Sequence, residues 1–241
     1  MVFADLFFIY VFLPLCLICY GLAKKLSTKN IVLIVFSLIF YAWGEPLWIL
    51  LLLFSSFFNW FIGILIGKFR DTPRAKLAVG GGIFVDILLL LIFKYSAFIV
   101  ENLNAVSGAA IPVPQITLPI GISFYTFQSM GYLIDVYNGK YAPEKNPARF
   151  ALFVSFFPQI IQGPIGVYDQ LAHQLYDEHK YNFDNIRFGA QLILWGFFKK
   201  LVIADRAVGM IHTVAGAYTD YAGTYVLLAA IVYALQIYAD F

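Results

Sequence analysis

An all-α, polytopic membrane protein is the fold class this sequence predicts, on three observations. The chain of 241 residues is 61% hydrophobic, and only 12% of it is charged, about half the share usual in soluble domains. Apolar runs of the roughly 20 residues needed to cross a hydrocarbon core recur along it. Lys and Arg gather in alternate connections between those runs, as expected when basic loops stay on the cytoplasmic side. The formal net charge of +2 gives no reason to expect nucleic acid as a partner.

The first expected span is 6–22. Asp5 stands where a signal peptide would carry a base, and Lys24 and Lys25 follow the run, so it reads as a retained span. Cys16 and Cys19 have C-x-x-C spacing but sit inside FLPLCLICYGL, where packing is favoured over redox or metal chemistry. The stretch 31–67 is too long for one crossing and is punctuated by Gly44-Glu45-Pro46, giving spans near 31–43 and 47–67. Tyr41, Trp43 and Trp48 flank that turn, as aromatic residues do at a membrane interface. Lys68, Arg70, Arg74 and Lys76 then precede a span near 77–100. The next connection lacks Lys and Arg and holds Gly108, Pro112, Pro114 and Pro119. A span near 120–136 leads to Lys140, Lys145 and Arg149. Basic connections thus follow the first, third and fifth spans, which places the N-terminus outside the cell. Beyond Arg149 come a broken element at 150–167, a polar stretch with a short interfacial helix, and spans near 188–211 and 222–241. Nothing marks a second domain, so 1–241 reads as one integral-membrane domain.

The broken element is the most informative stretch. SFFPQIIQGPIGVYDQL, residues 155–171, carries Pro158, Gly163-Pro164 and Gly166, which rule out an uninterrupted helix. At membrane depth such backbone is tolerated only inside protein or beside a watery cavity. Gln159 and Gln162, three apart, give its helical piece a polar face, predicting a re-entrant or discontinuous element lining a cavity; the alternative is an ordinary loop.

Ionisable residues inside spans need a partner, water or a task. Asp86 stands in the fourth span, open to a structural hydrogen bond or to cavity lining, and Lys94, two turns on, can snorkel. Lys199-Lys200 reads as a juxtamembrane anchor or as a positive rim for an anionic, pyrophosphate-bearing donor. His173, His179 and His212 lack triad-like spacing, and no G-x-S-x-G, H-E-x-x-H or Walker-type motif occurs. Neither a metal site nor a complete catalytic constellation is expected.

Four stretches together resemble one family: LPIGISFYTFQSMGYLIDVYNG at 118–139, the broken element at 155–171, WGFFKKLVIADR at 195–206 and YALQIYADF at 233–241. FYAWGEP at 40–46 and FKYSAFIVENLN at 93–104 fit as well. They are similar to the membrane-bound O-acyltransferase family, in the alginate O-acetyltransferase branch. The resemblance implies an incomplete version of that fold, helices ringing a thinned centre, in a bacterial cell membrane. It implies an acetyl group moved from acetyl-coenzyme A in the cytoplasm toward an extracytoplasmic acceptor such as a polysaccharide. Surrounding lipid and an extracytoplasmic acetylation partner are implied too.

On that basis Gln128, Gln159, Gln162 and Asp240 become candidates to line the tunnel, and Lys199 and Lys200 to bind the donor. The family's tunnel histidine and second histidine motif lie beyond Phe241, so no catalytic residue is carried over. The chain is therefore expected to be the amino-terminal part of a longer acyltransferase, inactive alone. Val167 stands where relatives often carry a base, which argues against an anion-binding role for that loop. A transporter or channel-like protein is the competing expectation, since broken helices and intramembrane charge are normal there too. An inactive assembly subunit is another.

Overall fold

The computed structural model describes residues 3, 5–161, 166–178 and 181–241. Gln162, the Gly163-Pro164 pair and His179 lie outside the described residues. Every regular element among the described residues is helical, and no strand occurs. The apolar helices Leu26–Gly44, Ile49–Lys68, Pro73–Ser107 and Gly223–Asp240 are long enough to cross a membrane. The protein is thus all-α and polytopic. Its contacts cluster into two compact units, Pro14–Glu178 and Val2–Leu13 with His179–Phe241.

In the first unit, which takes in α1 (Leu13–Leu22) from Pro14 on, α1 leads to α2 (Leu26–Gly44) and α3 (Ile49–Lys68). Pro46 disfavours helical backbone at the residue before it, and Glu45 accordingly leaves the helix at φ −142°, ψ 71°. Pro73 opens α4 (Pro73–Leu90) at its first turn, where its missing N–H costs nothing. A π-helical turn, Leu91–Tyr95, joins α4 to α5 (Ser96–Ser107). Gly108 ends α5 in the left-handed region at φ 69°, donating to Asn104 O at 2.9 Å. The extended stretch that follows is anchored by the Asn104 side chain, which accepts from Ile111 N–H at 3.0 Å and donates to Ile111 O at 2.8 Å.

Next come α6 (Ile122–Tyr137), α7 (Pro147–Ser155), α8 (Phe157–Ile160) and α9 (Tyr168–Tyr176). Helices α3, α4 and α6 pack on one another, and α7 packs on α2 and α3. Gly63 permits the close approach of α3 to α6: a Cβ there would lie 2.7 Å from the Tyr132 ring. Phe150, Leu152, Phe153 and Val154 of α7 are buried, whereas Phe54, Phe57, Phe61 and Phe84 on the long helices are exposed, the face expected against lipid.

In the second unit, Asn182 caps α10 (Phe183–Phe198) by accepting from the N–H groups of Asp184 and Asn185. A π-helical turn, Lys199–Ala204, carries the chain into α11 (Asp205–Gly216), and α12 (Gly223–Asp240) packs back on α11 and on that turn. Ala204, fully buried, marks the contact.

Candidate functional site

Helix α7 stops at Ser155, Phe156 turns out of helical geometry at φ −53°, ψ 110°, and α8 restarts with Pro158 in its first turn. An uninterrupted helix would pair Phe157 N–H with Phe153 O, four residues back. Instead two neighbouring helices supply the partners. Phe157 N–H donates to Ser37 Oγ of α2 at 3.1 Å, and Gln128 Nε2 of α6 donates to Phe153 O at 3.0 Å. Both bonds are buried, so the break satisfies the backbone without water, as membrane-depth backbone requires.

The same geometry brings two of the residues singled out in the sequence together. A Cβ on Gly166 would stand 2.6 Å from Gln159 Oε1 and 3.1 Å from Gln128 Nε2, so the two amides converge on one glycine. Gln159 Oε1 is buried and has no hydrogen-bond partner among the described residues. Gly121, at φ 74°, brings α6 onto the backbone of Ile160, and a side chain there would strike that carbonyl. Gln128 therefore has a structural task as well as a place beside Gln159.

A polar collar surrounds the entry to this element. Glu144 accepts from Tyr168 Oη at 2.7 Å and from Asn146 N–H at 2.8 Å, and its own N–H donates to Tyr132 Oη at 2.9 Å. The rings of Tyr132, Tyr141, Phe150, Phe153 and Tyr168 stack around it at centroid distances of 4.6–6.0 Å. Burial, and then the Glu144 carboxylate, pushes the Tyr168 phenol above its ordinary range. Burial and Asp135 do the same to Tyr141.

The remaining candidates, Asp240, Lys199 and Lys200, lie in the second unit. Lys200 Nζ sits 2.6 Å from Asp240 Oδ1 and 3.0 Å from Asp205 Oδ1. Two carboxylates on one ammonium leave a net negative charge, which works against Lys200 as a receptor for an anion. Lys199 makes no ion pair among the described residues. The pair instead ties the end of α12 to the π-helical turn, a geometry recurrent at functional sites. His173 is exposed between Asp169 and Asp177, at 3.5 and 3.4 Å. His212 lines a mostly apolar groove between α11 and α12 with Tyr233 and Gln236.

Ser37 and Glu144 are the site residues that sequence reasoning passes over. Ser37 had a signal, being the one serine in IVLIVFSLIFYAWG. Glu144 had none, since a charge in a basic connection looks solvated.

A multi-pass helical membrane protein with an internally satisfied break is the class that fold and site define. No family model matches the chain. Over its whole length it is 37% identical to the probable alginate O-acetylase AlgI of Azotobacter vinelandii, covering 49% of that protein. It is 35% identical to the protein of the same name in Pseudomonas aeruginosa, again over its whole length, covering 47%. A peptidoglycan O-acetyltransferase of Helicobacter pylori is 30% identical over 97% of this chain and 50% of its own length. The chain thus spans about half the length of the curated relatives it matches. Over all or nearly all of its length the chain is therefore similar to about half the length of proteins named for alginate and peptidoglycan O-acetylation.

Proposed function

We propose that this chain is, or forms part of, a membrane O-acetyltransferase that modifies a cell-envelope polysaccharide. The observation that carries the reading is the similarity, along all or nearly all of the chain, to proteins named for alginate and peptidoglycan O-acetylation. The donor is acetyl-coenzyme A. It approaches from the cytoplasmic side of a bacterial cell membrane, where the loops bearing Lys68, Arg70, Lys140 and Lys145 lie, with the N-terminus on the opposite face. In the reaction the acceptor hydroxyl oxygen bonds to the acetyl carbon, the thioester C–S bond breaks, and the thiol leaves with the proton. An extracytoplasmic partner completes the transfer: a polymer hydroxyl oxygen bonds to the acetyl carbon, the first ester C–O bond breaks, and the first acceptor hydroxyl is restored with the proton.

Within this scheme the broken element walls the path of the acetyl group. Gln159, with an open carbonyl oxygen, offers its amide to the passing acceptor, with Gln162 continuing the same face. Gln128 fixes the wall in place. Asp240 orients the donor side through Lys200, and Lys199 meets the donor's phosphates.

The test is removal of the gene from its own host and complementation, with base-labile acetate measured in the extracted envelope polysaccharides. Loss of acetate that the wild-type gene restores supports the reading; unchanged acetate defeats it. Complementation with Gln159→Leu lowers acetylation at normal protein level. Lys199→Glu raises the donor's apparent KM, while Lys200→Glu, which crowds three carboxylates, lowers the amount of folded protein.

A further inference from the structure

A second buried polar cluster lies in the first unit, its α6 member Tyr125 one helical turn from Gln128. Asp86 of α4 and Asn59 and Ser55 of α3 are fully buried, and Tyr125 of α6 nearly so. Asn59 uses both amide hydrogens: Nδ2 donates to Asp86 Oδ1 at 2.9 Å and to Ser55 O at 3.1 Å. That fixes its Oδ1 as an acceptor. Asn59 Oδ1, Asp86 Oδ2 and Ser55 Oγ lack a hydrogen-bond partner among the described residues, and Tyr125 Oη meets only the Tyr41 hydroxyl. Four oxygen-bearing side chains from three mutually packed helices therefore each keep an unused acceptor position toward protein partners.

Charge sharpens the point. No Lys, Arg or His among the described residues forms an ion pair with Asp86. Lys94 is exposed, its Nζ over the Tyr95 ring at 5.6 Å. A carboxylate at membrane depth without a countercharge is costly. The titratable groups whose interactions reach it are Tyr125 from α6 and, behind that, Tyr41 from α2; both are neutral hydroxyls, and α3 offers only neutral Asn59 and Ser55. Among the described residues, the polar groups that interact with Asp86 are the Asn59 amide and the Tyr125 hydroxyl, and neither supplies a charge. Oxygen-only ligand sets of carboxylate, amide and hydroxyl suit hard, small cations.

We propose that Asp86, Asn59, Ser55 and Tyr125 form an internal binding site for one small alkali cation. The cation supplies the charge Asp86 lacks and ties α3, α4 and α6 together where they pack. Binding to the folded state alone raises stability with cation concentration. The site does not depend on the acetyl-transfer reading, and its test has no activity readout.

The experiment follows thermal unfolding of the intact protein in lipid nanodiscs. One arm exchanges NaCl for N-methyl-D-glucamine chloride at constant ionic strength and pH; the other varies pH with no alkali ion present. In wild type the midpoint rises saturably with Na⁺; a midpoint that rises only with acidity reports protonation of the Asp86 carboxyl and overturns the proposal. The isosteric Asp86→Asn variant, which keeps a partner for Asn59, loses the Na⁺ dependence. Ser55→Ala weakens the apparent affinity about tenfold, the effect of one lost oxygen contact. A wild type insensitive in both arms overturns the proposal, as does an Asp86→Asn variant whose response matches wild type. Should Asp86→Asn fail to fold, a Ser55→Ala response identical to wild type overturns it.

Discussion

Replacing Gln128 by Leu tests the account of the helix break most directly. Leucine fills nearly the same volume, so packing changes little, but the Phe153 carbonyl loses its donor. That carbonyl is buried with no route to water. Leaving a buried backbone acceptor unpaired costs about 1–3 kcal/mol, while interhelical hydrogen bonds in membranes average about 0.6 kcal/mol, which sets a floor. Ser37→Ala orphans the Phe157 N–H at a similar cost. The two orphans are the two ends of one missing helical bond. In the double variant they can pair with each other by moving Phe156 back toward helical backbone, since that bond does not use the nitrogen of Pro158. The double variant is therefore expected to be less destabilised than the sum of the singles by about 1 kcal/mol or more. A double-mutant cycle on denaturant unfolding in detergent micelles measures this. Additive losses would refute the idea that Ser37 and Gln128 divide one broken hydrogen bond between them.

Other consequences are quicker to check. Asp240→Asn removes the more buried carboxylate from Lys200 and should cost the second unit about 1–2 kcal/mol, whereas Asp205→Asn, at the more exposed carboxylate, should cost under about 1 kcal/mol in the same unfolding assay. Gly63→Leu forces a side chain into the Tyr132 ring and should lower stability by about 2 kcal/mol or more; wild-type stability would contradict the α3–α6 contact. Tyr168 and Tyr141 hold their protons in the folded state beyond the pH of about 10 at which free phenols ionise. Above that pH the unfolded chain binds fewer protons than the native one, so stability is intact below it and falls as pH rises. Tyr168→Phe should flatten that alkaline decline, read from unfolding midpoints across a pH series.

Much of the architecture was legible because the membrane imposes it locally. Span length, aromatic flanks, Glu45-Pro46 ending α2 and Pro73 opening α4 each act over a few residues, so composition and order reveal them. The breakdown of helix near Pro158 was legible for the same reason, as was the polarity of Gln159. What satisfied the break was not. Ser37 lies 120 residues from Phe157 in sequence and Gln128 lies 25 from Phe153. Pairings at such separations depend on which helices pack and at what rotation. The same holds for Lys200, which read as a positive group until folding set two carboxylates against it, and for Asp86, whose one bonded and one open oxygen depend on Asn59 arriving from α3. The sequence by itself determined a chain of membrane helices, the position of their main interruption and the family likeness, because lipid punishes unpaired backbone wherever it occurs. Tertiary structure alone decided which side chains meet the exposed groups, because hydrogen bonds and ion pairs form only at contact distance.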